Sequence, residues 1–216
     1  MSYRRNRRGS SERDTVSDWK PKTRLGALVK EGQITSIEEI FLRNLKIREP
    51  EIVDFLVPDL KQEVVDVTMV QRQTDAGKKK RFRVTVVVGN ENGIIGIGTG
   101  KAAEFVPAIR AAEVRAKLNL TIIRRGCGSW ECRCEDLHSL PFAVRGKSGS
   151  VRVELMPAPR GTGLVTAEVG KTVLRLAGIT DAWSKSFGMT RTTANFAKAF
   201  VDALKHTYKV LTPMDW

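Results

Sequence analysis

"KKKRFRVTVVVGNENGIIGIGTGKAAEFVPAIRAAEVRAKLNL", residues 78–120, changes its hydrophobic period partway along. Its first part alternates. Phe82, Val84, Val86 and Val88 share one face while Arg83 and Thr85 share the other, the period of a half-buried strand. "GNENG" signals a hairpin, with Asn92-Gly93 expected to supply the positive φ angles. "IIGIGTG" predicts another strand, whose glycines let a backbone or helix approach closely. From about Lys101 to Asn119 the period becomes helical. Ala102, Phe105, Val106, Ile109, Ala112 and Ala116 form the apolar stripe, and Arg110, Glu113 and Lys117 face away.

Upstream, "EVVDVTMVQ" supplies an earlier strand, with Val65, Val67 and Met69 alternating against Asp66 and Thr68. "DAGK" is the turn between it and the next strand. Before these, from Thr23 to about Asp59, the pattern is helical. Leu25, Leu28 and Val29 share a face, and Ile37, Ile40, Phe41 and Leu45 follow at similar spacing. Ser36 is a candidate N-cap with Glu39 at the capping-box distance. Helix, three antiparallel strands, helix is an α+β order that predicts a sheet with helices on one face, as in double-stranded-RNA-binding domains.

A second α+β unit follows Leu120. "LTIIRR" and "PFAVRG" read as strands, and "GSVRVELMPA" places Val151, Val153 and Leu155 inward against Arg152 and Glu154. "KTVLRLAG" is a short helix closed by Gly178, "ITDAWSKSF" a strand, and Thr192 to Thr207 a helix carrying Phe196, Ala197, Phe200, Val201 and Leu204. The expected division is a basic disordered arm over 1–22, a helical extension over 23–59, a first domain over 60–124 and a second over 125–216.

Charge narrows the function. Lys and Arg number 37 against 24 Asp and Glu, a formal net charge of +13 over 216 residues. Cations that neutralise phosphates release condensed counterions, so a polyanion is the expected partner. No apolar run approaches the roughly 20 residues that cross a bilayer. The N-terminus is basic without an apolar region behind it, unlike a secretory signal. A cytoplasmic, nucleic-acid-binding protein with no membrane contact is the expectation.

Catalysis finds little support. "GIIGIGTGK" has Ile95 where a phosphate loop needs its first glycine and Ala102 where it needs Ser or Thr. The dinucleotide pattern fails as well, because Gly96 and Gly98 lack a third glycine at position 101. His138 and His206 are the only histidines, and neither forms a nucleophile–base pair recognisable from spacing. The chain does supply phosphate donors. Arg72, Lys78, Lys79, Lys80, Arg81 and Arg83 crowd the first hairpin. Arg160 sits in "APRGTG", where glycines allow close backbone approach, and Arg191 in "GMTRTTAN", ahead of a helix N-terminus. With 6% aromatic residues, base stacking is not the expected mode; backbone and shape are.

"CGSWECRCEDLH", residues 127–138, holds all three cysteines. Cys127, Cys132, Cys134 and His138 are a sufficient donor set for tetrahedral zinc. Their spacing lacks the paired knuckles of common zinc sites, so a loop with free thiols remains open beside it. A disulfide is disfavoured by the expected compartment.

Residues 78–120 and "ELMPAPRGTGLVTAEVGKTVLRLAGITDAWSKSFGMTRTTANFAKA" resemble the two domains of the ribosomal protein five family of the small subunit. The helical extension resembles the archaeal and eukaryotic branch, and the cysteine segment, with no long Arg-Gly repeat arm, resembles the archaeal one. The resemblance implies a double-stranded-RNA-binding-like first domain and a second α/β domain with a left-handed βαβ unit. It implies a structural protein that binds small-subunit rRNA near the mRNA entrance and the decoding region, supporting translational accuracy. It implies contacts with small-subunit ribosomal proteins four and eight and with mRNA, and no homo-oligomer. The rRNA-contacting loop would fall on residues 71–82. The interface with protein four would fall on residues 145–153, with Lys147, Ser150 and Arg152 as its polar face. A free-standing double-stranded-RNA-binding regulator is the competing reading.

Overall fold

The computed structural model describes residues 19–132, 134 and 136–208; the expected arm lies outside the described residues up to residue 18. The chain divides into two compact units, 1–58 and 59–216.

The first unit is helical. Helix α1, Arg24–Lys30, starts where the Thr23 hydroxyl accepts from the Gly26 amide. Helix α2, Ile37–Leu42, starts where Ser36 accepts from the Glu39 amide, one half of the expected capping box. Helix α3, Pro50–Leu56, begins on a proline, whose missing N–H costs nothing there. Val29, Ile34, Ile37, Ile40, Ile47, Ile52 and Val53 are buried. Leu45, expected on the same face, is more than one-third exposed because α2 ends at Leu42. Residues 19–22, assigned from sequence to the arm, are held in place. The buried Glu49 carboxylate needs donors, and it takes Trp19 Nε1 at 3.1 Å and the Lys22 amide at 3.0 Å.

The second unit contains two sheets. Strands β1 (Lys61–Thr74), β2 (Gly77–Gly89), β3 (Ile94–Ala102) and β4 (Leu120–Ile122) form an antiparallel sheet in chain order. Helix α4, Phe105–Leu118, links β3 to β4. The expectation of three strands therefore falls short by one, since "LTI" pairs with β3 as its outer neighbour. Strands β5 (Val144–Ser148), β6 (Val151–Pro157), β7 (Leu164–Val165) and β8 (Ala182–Phe187) form the second sheet in the order β5-β6-β8-β7. Helix α5, Glu168–Ala177, joins β7 to its parallel neighbour β8, a βαβ unit. Helix α6, Thr193–Lys205, follows β8.

Register explains the first sheet. Val84, Val86 and Val88 pair with Gly100, Gly98 and Gly96, and against those glycines lie Ala108, Ala112 and Ala116 of α4. A Cβ at Gly98 would overlap the Ala112 carbonyl and the Ala116 amide. Bare backbone on the strand and alanines on the helix bring the two into close contact. The buried stripe of α4 is thus these alanines. Phe105 and Val106, expected inward, are 44% and 54% exposed.

The opposite face is also covered. Val87, Ile95 and Ile123 join the core of the second sheet, with Leu155, Val173, Leu174, Leu176, Phe196 and Phe200. Residues 84–89 are consequently all buried, and the one-sided alternation expected for β2 holds only towards its hairpin end. Phe196 and Phe200 meet edge to face at 4.9 Å in this core. In the β2–β3 turn the positive φ angles fall on Glu91 and Gly93 rather than on Asn92. Asn90 Oδ1 organises the turn by accepting from the Asn92 and Ile94 amides.

Candidate nucleic-acid interface and metal centre

The β1–β2 hairpin pairs to its last residues, Thr74 opposite Gly77, so Asp75 and Ala76 alone make the turn. A ladder complete to the tip makes the hairpin a stiff arm. Arg72, Lys78, Lys79, Lys80 and Arg81 are exposed on it, and Arg83, nearer the sheet, is half-buried. Arg72 stands directly opposite Lys79. Like charges so placed repel, and none of these cations has an acidic partner among the described residues. Arg72, Lys79, Arg81 and Arg83 share one face, since they pair with or alternate from one another along the ladder. Arg83 in turn stands opposite Lys101 of β3. One row of positive charge therefore runs from the tip into the body of the unit.

The second predicted donor, Arg160, is exposed and pairs with Asp136 at 2.8 Å. The loop around it is already engaged. The Gly161 and Gly163 amides donate to Asp181 Oδ1 at 3.1 and 2.8 Å. The third, Arg191, is exposed just before α6. Lys147, Ser150 and Arg152 are exposed at the β5–β6 turn, with Lys147 opposite Arg152.

Cys127, Cys132, Cys134 and His138 converge. Their donor atoms lie within 4.8 Å of one another, against an edge of about 3.5–3.8 Å in a zinc tetrahedron with Zn–S of about 2.3 Å. All three cysteines are free. The Cys132 and Cys134 sulfurs are 2.9 Å apart. Their shared hydrogen bond lowers Cys132 to a pKa of about 6, with the Arg160 amide helping. The same bond pushes Cys134 up to about 11. One thiol is thus ready to ligate as thiolate, while the other gives up its proton only to a cation.

Sequence reasoning missed the residue that organises this centre. Asp181, buried immediately before β8, has its Oδ2 2.9 Å from His138 Nδ1 and 3.0 Å from the Thr180 hydroxyl that donates to it. Its Oδ1 holds the glycine amides of the 160–163 loop. Burial opposes its charge, but the Gly163 amide, the Thr180 hydroxyl and His138 outweigh that, and the carboxyl lies below its ordinary range. Engaging Nδ1 leaves His138 Nε2 facing the thiols, 3.9 Å from Cys132 Sγ. A carboxylate behind a ligating histidine is how metal sites fix the ring and its tautomer. The one sequence sign was an acidic residue immediately before a strand, to which periodicity assigns no role.

Comparison with known proteins matches both halves of the second unit. Residues 60–124 match the family described as ribosomal protein S5, N-terminal domain. Residues 146–214 match ribosomal protein S5, C-terminal domain. Among similar proteins, the small ribosomal subunit protein uS5 of Staphylothermus marinus is 59% identical over 205 residues, covering 95% of this chain and 96% of that one. The protein of that name from Ignicoccus hospitalis is 62% identical over 202 residues, covering 94% and 96%. That of Saccharolobus solfataricus is 57% identical over 201 residues, covering 93% and 94%.

Proposed function

The chain belongs to the ribosomal protein S5 family, and from that premise we propose that it is a structural component of the small ribosomal subunit, held there by rRNA. The family is a structural one and not an enzyme family. The observation that carries the reading is the β1–β2 hairpin. It is a stiff arm whose cations face one another without acidic partners among the described residues, which makes it complementary to a polyanion. Arg72, Lys78, Lys79, Lys80, Arg81, Arg83, Arg160 and Arg191 are the proposed RNA contacts. They act on phosphates, fixing orientation rather than reading sequence. Residues 60–124 and 125–216 serve as two modules that hold neighbouring rRNA segments.

The finer reading follows the family resemblance. The protein sits near the mRNA entrance and the decoding region, in the cytoplasm. It meets small-subunit ribosomal protein four through Lys147, Ser150 and Arg152, and it contacts protein eight. Zinc is held by Cys127, Cys132, Cys134 and His138. Four protein ligands leave no open position for a reacting water, so the ion acts as a staple and not as a catalyst. Native protein is expected to carry one zinc per chain by elemental analysis; a trace amount would remove the metal from this reading.

Co-sedimentation tests the whole. The protein is expected to stay with small subunits through a high-salt wash. Recovery in the free fraction would instead favour a double-stranded-RNA-binding regulator acting off the ribosome.

A further inference from the structure

The cationic row of the hairpin does not end at the sheet. Arg83 of β2, Lys101 of β3, and Arg191 and Lys198 around the start of α6 line one groove of about 790 Å³. Ninety positions separate Lys101 from Arg191 in the sequence, and the fold brings the two pairs together. None of the four has an acidic partner among the described residues. The groove's own carboxylate, Asp66, accepts from the Thr68 hydroxyl at 3.0 Å and leaves the four cations in excess.

Three further observations point to an anionic occupant. Arg83 Nε is shut off from solvent and meets no acceptor, a costly state for a charged donor. Arg83 and Lys101 stand directly opposite on neighbouring strands, a like-charge pair that an anion between them would relieve. No side chain caps α6, because the Thr192 hydroxyl donates to the Met189 carbonyl instead. Ala194 and Asn195 line the groove, and their first-turn amides meet no acceptor among the described residues. Cations, an orphaned guanidinium nitrogen and free helix amides are the donor set that phosphate oxygens satisfy.

We propose that this groove is a second phosphodiester-binding site, which takes the RNA backbone as it leaves the hairpin and carries it to the N-terminus of α6. The inference rests on the rRNA reading above and deepens it: Lys101, Lys198 and the Ala194 and Asn195 amides join Arg83 and Arg191 as one site. A nucleic acid is favoured over an acidic protein segment because the groove continues the hairpin's charge row, and a nucleic acid carries a negative charge at every nucleotide along such a row.

The test uses the full chain and archaeal small-subunit rRNA transcribed in vitro, with binding measured at several salt concentrations. Losing one phosphate contact removes about 0.7–0.9 from the log–log salt slope and about four- to sixfold in affinity at 0.15 M salt. Arg191→Gln with Lys198→Gln should therefore weaken binding by roughly 15- to 35-fold and flatten the slope by about 1.4–1.8. Lys198→Arg should keep the wild-type slope. Should the double variant lose its thermal transition, Arg191→Gln alone, at an exposed loop position, carries the test with the single-contact effect. Replacing Lys78, Lys79 and Lys80 by Gln is the parallel arm for the broader reading. If that arm weakens binding while the groove variants change neither affinity nor slope, the groove is not an RNA site and the rRNA reading stands. If neither arm weakens binding, both fall. Groove variants that bind rRNA normally but fail to enter small subunits would assign the groove to an acidic protein segment, and the inference would be overturned.

Discussion

The β1–β2 hairpin and the cysteine–histidine centre both concentrate charged and polar groups, and they handle them in opposite ways. In the hairpin, Arg72 faces Lys79 across the ladder, and neither has an acidic partner among the described residues. At the centre, His138 has one oxygen of Asp181, and the Gly161 and Gly163 amides have the other. The first region keeps its electrostatic demand open towards a partner, while the second closes its own. Buried groups must be satisfied within the fold because water cannot reach them. Exposed cations are solvated and can wait for RNA.

The contrast predicts that stability and binding separate by region. The largest effect on folding should come from Asp181→Ala, which strands the buried His138 ring nitrogen and removes the acceptor of the Gly161 and Gly163 amides. A loss of roughly 3–5 kcal/mol is expected, with a fall in Tm on the order of 10 °C by calorimetry. A loss below about 1 kcal/mol would mean that the centre is not internally closed.

Next is the hairpin. Gln at Lys78, Lys79 and Lys80 together should weaken rRNA binding by about a hundredfold at 0.15 M salt. Tm should hold or rise slightly, because like-charge repulsion is relieved. A variant that binds normally but melts early would invert the comparison.

Asp181→Asn probes the centre more gently, since the amide keeps the shape and loses the charge. Zinc affinity measured by competition with a chromophoric chelator should fall about 10- to 100-fold. An unchanged affinity would detach Asp181 from any metal. Smallest of all is Asp136→Asn. It breaks the Arg160 pair, whose side chains are 70% and 60% exposed, and should cost less than about 1 kcal/mol. A larger cost would make that pair part of the closed network.

Much of this architecture is legible along the chain. The Ser36 cap, the Gly178 helix end with its φ of 81°, the inward Val151, Val153 and Leu155, and the apolar stripe of α6 all fall where local pattern puts them. Each depends on neighbours within a few positions. The misplaced features have a different origin. Phe105 and Val106 fit a helical stripe as well as Ala108 and Ala112 do. Only the glycine row of β3, which admits nothing larger than alanine, decides which side of α4 turns inward. The alternation of β2 fails over residues 84–89 because a second core covers its other face. The four metal-ligand candidates are legible because they fall within twelve positions, 127–138, whereas their organiser Asp181 is 43 residues from His138.

Composition and local periodicity were enough to settle a basic α+β chain that seeks a polyanion, together with most of its helices and strands. Those properties are sums over residues or correlations along a few turns, and a linear reading contains them in full. Which cations share a groove, which carboxylate stands behind which imidazole, and which charges stay uncompensated depended on the packing of distant segments. Neutralisation acts over a few ångströms in space, whatever the separation along the chain. Arg83 and Arg191 come to line one groove, and Asp181 and His138 become one pair, only after the two sheets have closed on their common core.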